Sequence, residues 1–563
     1  MPNREGGTNG DRVIDGKQAR SFRLFRTFSL MALSLPLIIV CHSKPVMSSN
    51  PQRSPVSITD LVGYTRIRQV RISPDGKWVA YLLIKPQIAD NRYQSTLLLQ
   101  KTEPSAAPIE LARFYTAGDQ TYDRETGALK SFGGQTAWSA DGRKLAYTKR
   151  VNDQVQLWIR QLDSGSDFKA AGDLPNAELT GWNEDGTTIG FKVSNPVPSL
   201  SGPPDPAVRV TDETNFWTPP WYSPPAPEQL VDAYRYHLPS GELTTTGDQE
   251  PNNPQDLTYE DAKWPTRPDE IKYALEAVLS PDQKKSVFLG MGLYHTREIE
   301  KAYQDFFVGI SLVGAKSPPR EFHHATSHIH DFRWSNDSRL IYGLLRDPEY
   351  TAVVSISAED GEMKQLLKID GSLTNLEWQA DGTAFVATRQ SSLMPDQLVK
   401  VDLAGGTTTV LADPNAAFAE KDRPRIRFMR INNPLGGGIH GRLVLPNGYV
   451  QGRRYPLIFT TYLAGPEFLE GAVGDEFPIL PFAANGFAVF VMDAELSNMR
   501  SDFGDLEFTL MMYKRPLDAM ETVRQQLTAE GIIDPERCAI TGLSYGSDIA
   551  VYALSRSKFF KAA

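Results

Sequence analysis

Residues 533–546 read IDPERCAITGLSYG, and the second half of this stretch decides the fold around it. Cys538-Ala-Ile-Thr541 is a β-prone run of the kind buried within a parallel sheet. Gly542-Leu543-Ser544-Tyr545-Gly546 follows directly, and Ile549, Val551 and Leu554 then recur at helical spacing. Gly-x-Ser-x-Gly between a buried strand and a helix is the nucleophile-elbow pattern of the α/β-hydrolase fold. Gly542 and Gly546 permit the sharp turn that lifts a serine Oγ above the sheet. The Tyr545 N–H, at the helix N-terminus, can donate to an oxyanion. Ser544 is the candidate nucleophile; the competing reading is an ordinary strand–helix turn.

Upstream, the same period continues. Tyr455-Pro-Leu-Ile-Phe-Thr-Thr-Tyr462 and Phe487-Ala-Val-Phe-Val-Met492, ending at Asp493, read as strands buried on both faces. Leu517, Met520, Val523 and Leu527 mark a helix over 515–530, with Gly531 just past its end. Alternating strands and helices predict a doubly wound, mostly parallel sheet. We place this α/β-hydrolase domain at 423–563.

Before residue 423 a different unit recurs. An aromatic or apolar residue precedes a Ser/Asn-x-Asp-Gly-like turn, and a β-prone run follows. The turns centre on Asp75, Asp141, Asp185, Asp282, Asp337 and Asp381, at intervals of 66, 44, 97, 55 and 44. Further turns downstream of most copies give about four strands per unit. Reading the longest interval as two units, one with a degenerate turn, predicts seven units of ~50 residues, the period of a β-propeller blade. A seven-bladed propeller is therefore expected over 57–422. Eight prolines with Trp217, Trp221 and Tyr222 interrupt the pattern at 201–227. They read as a loop between blades, or as a substrate-facing lid. His323, His324, His328 and His330 lack the HExxH order of a zinc site and read as a blade connection.

The N-terminus differs again. Lys17, Arg20, Arg23 and Arg26 precede the thirteen-residue apolar run Phe28–Val40. A basic region before a short apolar one is a secretory leader pattern, and a membrane span needs about 20 residues. Residues 1–48 are thus expected to be a signal peptide, with a lipid on Cys41 as the alternative to cleavage near Val46-Met47-Ser48. Export, to the periplasm, would leave Cys538 as the one mature cysteine. Two cysteines in 563 residues exclude a disulfide framework. A net charge of −9 without long basic blocks in the body argues against nucleic-acid binding. The chain is 40% hydrophobic and 23% charged, which excludes wholesale disorder and fits two or more globular domains.

Propeller first, hydrolase second: the pattern over 57–563 resembles the prolyl oligopeptidase family of serine peptidases. Ile533-Asp534-Pro535-Glu536-Arg537 leading into ITGLSYGS is similar to that family's elbow region. Tyr455-Pro456-Leu457-Ile458 through Tyr462, Ala464, Gly465 and Pro466 resembles its first hydrolase strand and following loop. The resemblance implies that Tyr462 donates a phenolic hydrogen bond to the oxyanion beside the Tyr545 N–H; the alternative is packing at a strand end. Thr460-Thr461-Tyr462 with Gly474-Asp475-Glu476-Phe477-Pro478 is similar to the lasso peptide isopeptidases within the family. Those enzymes open the macrolactam of a threaded peptide at its Asp/Glu side-chain amide. The His-Gly-Gly of many relatives is absent after the first strand, and Ser547 stands where many have glycine.

The family order is serine, then acid, then histidine. All eight histidines precede Ser544: His42, His237, His295, His323, His324, His328, His330 and His440. A serine without a base is a poor nucleophile, so the 563 residues are expected to be an inactive fragment, with acid and histidine missing. The resemblance implies a peptide substrate and no metal or organic cofactor. Oligopeptidase or dipeptidyl-peptidase action on linear peptides, and a non-catalytic propeller binding module, are the alternatives.

Overall fold

The computed structural model describes residues 53–116, 133–151, 154–172, 177–194, 230–246, 250–251, 263–267, 270–296, 301–314, 319–323, 329–432, 438–462, 465–470, 477–493 and 505–563. The expected leader, Cys41, the aromatic loop at 201–227, His324, His328 and residues 474–476 lie outside them.

Each aromatic–turn–strand unit opens an antiparallel sheet. Among the described residues there are six, spanning Arg66–Thr116, Thr136–Lys169, Ala177–Pro251, Lys263–Phe322, Ile329–Asp370 and Ser372–Ala412. The turns are built alike. Ser73 Oγ donates to Asp75 Oδ1 at 2.6 Å, the Lys77 N–H donates to the same oxygen at 3.1 Å, and the Trp78 N–H donates to Ser73 Oγ at 2.9 Å. Ser139–Asp141, Ser280–Asp282 and Ser335–Asp337 repeat the 2.6 Å contact.

The aromatic residue before the turn has a separate task. The indoles of Trp138, Trp182 and Trp334 donate to the carbonyls of Arg71, Ala137 and Val278, each in the preceding sheet, at 3.2, 2.9 and 2.9 Å. The repeat thus carries its own stitch between neighbours. The ring closes where Ile67, Val70, Val79 and Tyr81 of the first sheet pack with Val386, Leu398 and Leu411 of the last.

The expected seventh blade is not found among the described residues. The long Asp185–Asp282 interval holds the outer strands of the third sheet, after residues 195–229, and the first strands of the fourth. The described strands of this interval make one boundary between sheets, so its length does not give the number of units.

The turns are expected to make the propeller acid-sensitive. Hydrogen bonds from serine hydroxyls and backbone N–H groups hold the Asp141, Asp282 and Asp337 carboxyls below the usual range. A carboxyl depressed in the folded state stabilises above its unfolded pKa of about 3.9, and that stabilisation is lost as pH falls through the depressed value. The thermal midpoint is expected to drop below about pH 4, with a shallower pH dependence in Asp141→Asn; an identical slope in both proteins would refute the assignment.

The hydrolase elements are numbered from their own start: β1 Ile426–Asn432, β2 Gly438–Val444, β3 Tyr455–Tyr462, α1 Ile479–Ala484, β4 Ala488–Asp493, α2 Asp505–Ala529, β5 Ile533–Gly542, α3 Tyr545–Arg556 and β6 Phe560–Ala562. They form one sheet in the order β1-β2-β4-β3-β5-β6, antiparallel at β1–β2 and β2–β4 and parallel elsewhere. Leu457, Phe459, Phe490 and Met492 bury one face under Met520, Val523 and Leu527 of α2 and Ile549 and Ala553 of α3. Val444, Val489 and Val491 bury the other under α1 and the connectors bearing Leu61, Tyr64 and Phe418. Helices on both faces make the sheet doubly wound. α2 starts earlier than expected and runs through Pro516.

Candidate active site

β5 ends at Gly542 and α3 begins at Tyr545, so Leu543 and Ser544 make the whole reversal. Within β5, residues 534–537 bulge out of the ladder: Tyr455 pairs with Ile533, and Leu457 next with Cys538. Asp534 ties this excursion by accepting the Glu536 N–H at 3.1 Å and Arg537 Nε at 2.8 Å. The ladder proper is therefore 538–542, close to the strand read at 538–541. Cys538 is buried in it, and burial pushes its thiol up to about 11, so it remains an unreactive apolar side chain.

Ser544 is the N-cap of α3 with φ 49° and ψ −120°. A side chain in this left-handed region costs about 1–3 kcal/mol, which the surroundings must impose. They do so through the glycines. A Cβ on Gly546 would lie 1.8 Å from the Thr461 carbonyl oxygen, and one on Gly542 would lie 2.4 Å from the Gly546 carbonyl. Only glycine lets the turn pass this close to the end of β3. The Gly546 N–H donates to the Leu543 carbonyl at 2.7 Å, and the Ser547 N–H and hydroxyl donate to the Ser544 carbonyl at 2.8 and 2.6 Å.

The Tyr545 N–H takes part in none of these bonds and has no partner among the described residues. It is a free donor one residue from Ser544. The Tyr545 side chain turns away: its hydroxyl donates to the Met512 carbonyl at 2.6 Å, beside Tyr513, and burial raises its pKa, keeping the phenol protonated. Tyr545 offers its backbone alone.

Tyr462 is the last ladder residue of β3. Thr461 lies in register with Gly542, and the Tyr462 nitrogen is 3.5 Å from where a Gly546 Cβ would be. Strand alternation puts Tyr462 on the face opposite Phe459. The structure thus brings Ser544, Gly542, Gly546, the Tyr545 N–H and the Tyr462 backbone together at the carboxyl ends of the neighbouring strands β3 and β5.

No base joins them among the described residues. Tyr462, Asp493 and His440 stand abreast on β3, β4 and β2. His440 is three strands from β5, or about 14 Å at 4.7–4.9 Å per strand, too far for a direct bond to Ser544. His237 and His330 belong to propeller strands and His323 follows one directly; they face Ser240, Asp331 and Glu321 at 2.8, 2.6 and 3.4 Å. No group of three or more His, Cys, Asp or Glu capable of holding a metal occurs among the described residues.

The first strands of five propeller sheets line a cavity of about 850 Å³. Those strands bulge at Gln69, Asp331 and Asn375, all at positive φ, which breaks the ladder and turns polar side chains inward. Arg68, Arg71, Arg346 and His330 are among the lining residues, and so is Glu467, from the segment after Tyr462. Sequence reading missed Arg346 and Glu467. Charged residues in polar surroundings carry no pattern.

An α/β-hydrolase sheet with a strained serine elbow, preceded by a propeller, defines a hydrolase of the serine-peptidase type. Residues 476–563 match the model of the prolyl oligopeptidase family. The chain is similar to a lasso peptide isopeptidase, AtxE2 of Asticcacaulis excentricus, at 24% identity over 87% of this chain and 70% of that protein. It also resembles an uncharacterized peptidase, YuxL, of Bacillus subtilis, at 25% identity over 41% of this chain and 35% of that one. Among solved structures, apo AtxE2 matches with a TM-score of 0.59 at 20% identity, over 91% of this chain and 79% of that one. A variant of AtxE2 with Astexin3-dC4 bound gives 0.60 at 20% identity, over 90% and 78%. An acylaminoacyl peptidase of Pyrococcus horikoshii gives 0.57 at 15% identity, over 91% and 78%. These likenesses support the propeller-plus-hydrolase fold.

Proposed function

We propose that this chain carries the nucleophile of an exported isopeptidase acting on lasso peptides. Ser544 Oγ attacks the carbonyl carbon of the ring-closing amide, formed by an Asp or Glu side chain of the substrate. The Tyr545 N–H and the Tyr462 hydroxyl take the oxyanion. Collapse of the tetrahedral intermediate releases the amine and leaves an ester on Ser544, which water hydrolyses to the carboxylate. The base and its acid come from outside the described residues. The observation that carries the proposal is the left-handed Ser544, fixed by two glycines too close to Thr461 to bear side chains. The similarity to AtxE2 supports the substrate class.

The test uses this protein together with any polypeptide that its gene encodes beyond Ala563. A threaded lasso peptide and a linear proline-containing peptide are offered in competition and followed by mass spectrometry. The expected result is gain of one water by the lasso peptide, with ring opening, while the linear peptide stays intact. The reverse preference would assign an ordinary oligopeptidase or dipeptidyl peptidase. Binding of either peptide without turnover would assign a propeller binding module.

Export is part of the proposal, on the evidence of the basic cluster 17–26 and the run Phe28–Val40. N-terminal sequencing of protein made in a Gram-negative host is expected to find a start near residue 49, or a lipid on Cys41. An intact Met1 on cytoplasmic protein would contradict it.

A further inference from the structure

The segment Gly465–Glu470, just beyond Tyr462, is held by the propeller and its connectors more than by its own sheet. Glu467 is its centre. One carboxylate oxygen accepts the Gly465 N–H at 3.0 Å; the other accepts Arg346 Nη2, from the fifth propeller sheet, at 2.9 Å. The Glu467 carbonyl accepts Arg442 Nη1 at 3.2 Å, and the same nitrogen donates to Ser392 Oγ at 2.8 Å. The Phe468 N–H donates to Gln390 Oε1 at 3.3 Å, and the Leu469 N–H to the Ser392 carbonyl at 3.2 Å. The Phe468 ring meets Tyr64 and Phe418 edge-on, each at 5.6 Å. Tyr64 donates to Glu470 at 2.5 Å.

No single bond here dominates. The Arg346–Glu467 pair is partly exposed, and such pairs contribute little by themselves. Arg442 is 6% exposed, however, and a buried guanidinium needs its acceptors. Two of those acceptors, Ser392 Oγ and the Glu467 carbonyl, come from the propeller and from the segment. Satisfying this one cation therefore ties the two together. Tyr462 is the last residue of β3 in register with a neighbour, so the chain that follows sets its orientation.

We infer that the propeller positions Tyr462, through Arg346, Gln390 and Ser392 acting on Gly465–Leu469. They are positioning residues, and the propeller is then a working part of the oxyanion site. The inference rests on the role proposed above for Tyr462, but its test does not.

The test places a fluorotyrosine at position 462, or at 455 at the far end of the same strand, in the full chain. Fluorine NMR spectra are compared for the parent, Arg346→Gln, Arg346→Lys and Arg346→Gln/Ser392→Ala. The parent is expected to show one narrow resonance from position 462. It should broaden or split in Arg346→Gln, more so in the double variant, and recover in Arg346→Lys. The resonance from 455 should stay unchanged throughout. An unaltered resonance from 462 in the double variant would overturn the inference, as would equal disturbance at 455, which indicates general loosening. Tyr462→Phe is assayed separately. A fall in kcat with KM unchanged supports the oxyanion role; an unchanged kcat removes that role, and with it the catalytic meaning of the clamp, while leaving the spectra as measured.

Discussion

Replacing Ser544 by glycine is expected to raise the stability of the fold while abolishing hydrolysis. At φ 49° and ψ −120° the serine side chain is held in backbone space that suits glycine. Removing the side chain releases part of the about 1–3 kcal/mol of strain that such a residue stores. The greater unfolded-state freedom of glycine offsets some of the gain, by about 0.4–1 kcal/mol. Ser544→Ala keeps the strain, so its thermal midpoint should fall below that of Ser544→Gly. Both variants lack the nucleophile, whose loss alone costs about 10⁶ in kcat in a well-studied serine peptidase. Calorimetry with a peptide-hydrolysis assay checks both halves. A glycine variant less stable than the alanine variant would contradict the strained elbow. Retained turnover would remove Ser544 from the chemistry.

The second large effect is expected one turn along. Gly546→Ala puts a methyl carbon 1.8 Å from the Thr461 carbonyl oxygen, a backbone atom in the middle of the sheet. Neither partner can move without breaking the β3–β5 ladder or the start of α3. Overpacking in cores costs typically 1–3 kcal/mol when side chains can adapt, and here backbone meets backbone, so about 3 kcal/mol or more is expected. Gly531→Ala is the control: it shares positive φ, at 72°, but nothing lies within 4 Å of its Cβ. That change should cost only the conformational term, about 1 kcal/mol. Denaturant titrations with unchanged slope should rank Gly546→Ala well below Gly531→Ala. Equal midpoints would mean that the elbow is not packed against β3.

The elbow was legible in the sequence because its chemistry is local. Strand, glycine, serine, glycine and helix follow one another, and each residue type has one reason to be there. The propeller repeat was legible for the same reason: Ser73, Asp75 and Gly76 bond within one turn, and every copy repeats that turn in its own short window. Blade number was not, because turn spacing varies from 44 to 97 residues and the longest interval has no fixed relation to the number of sheets. Nor was the clamp on Gly465–Leu469. Arg346 and Glu467 are 121 residues apart and carry no spacing rule, and Arg442 sits in a strand where an isolated arginine looks like surface. His440 shows the limit in the other direction. It is the histidine nearest before Ser544 in sequence, and the sheet order sets it three strands from the elbow.

The central claim is that Ser544 is the one activated nucleophile of this protein. The most direct measurement is covalent labelling with a fluorophosphonate, followed by peptide mapping. It is made on the protein with any polypeptide encoded beyond Ala563 present, and on its Ser544→Ala variant. A single adduct is expected on the peptide that contains Ser544, absent from the variant. An adduct on another residue, equal labelling of the two proteins, or no labelling of either would contradict it.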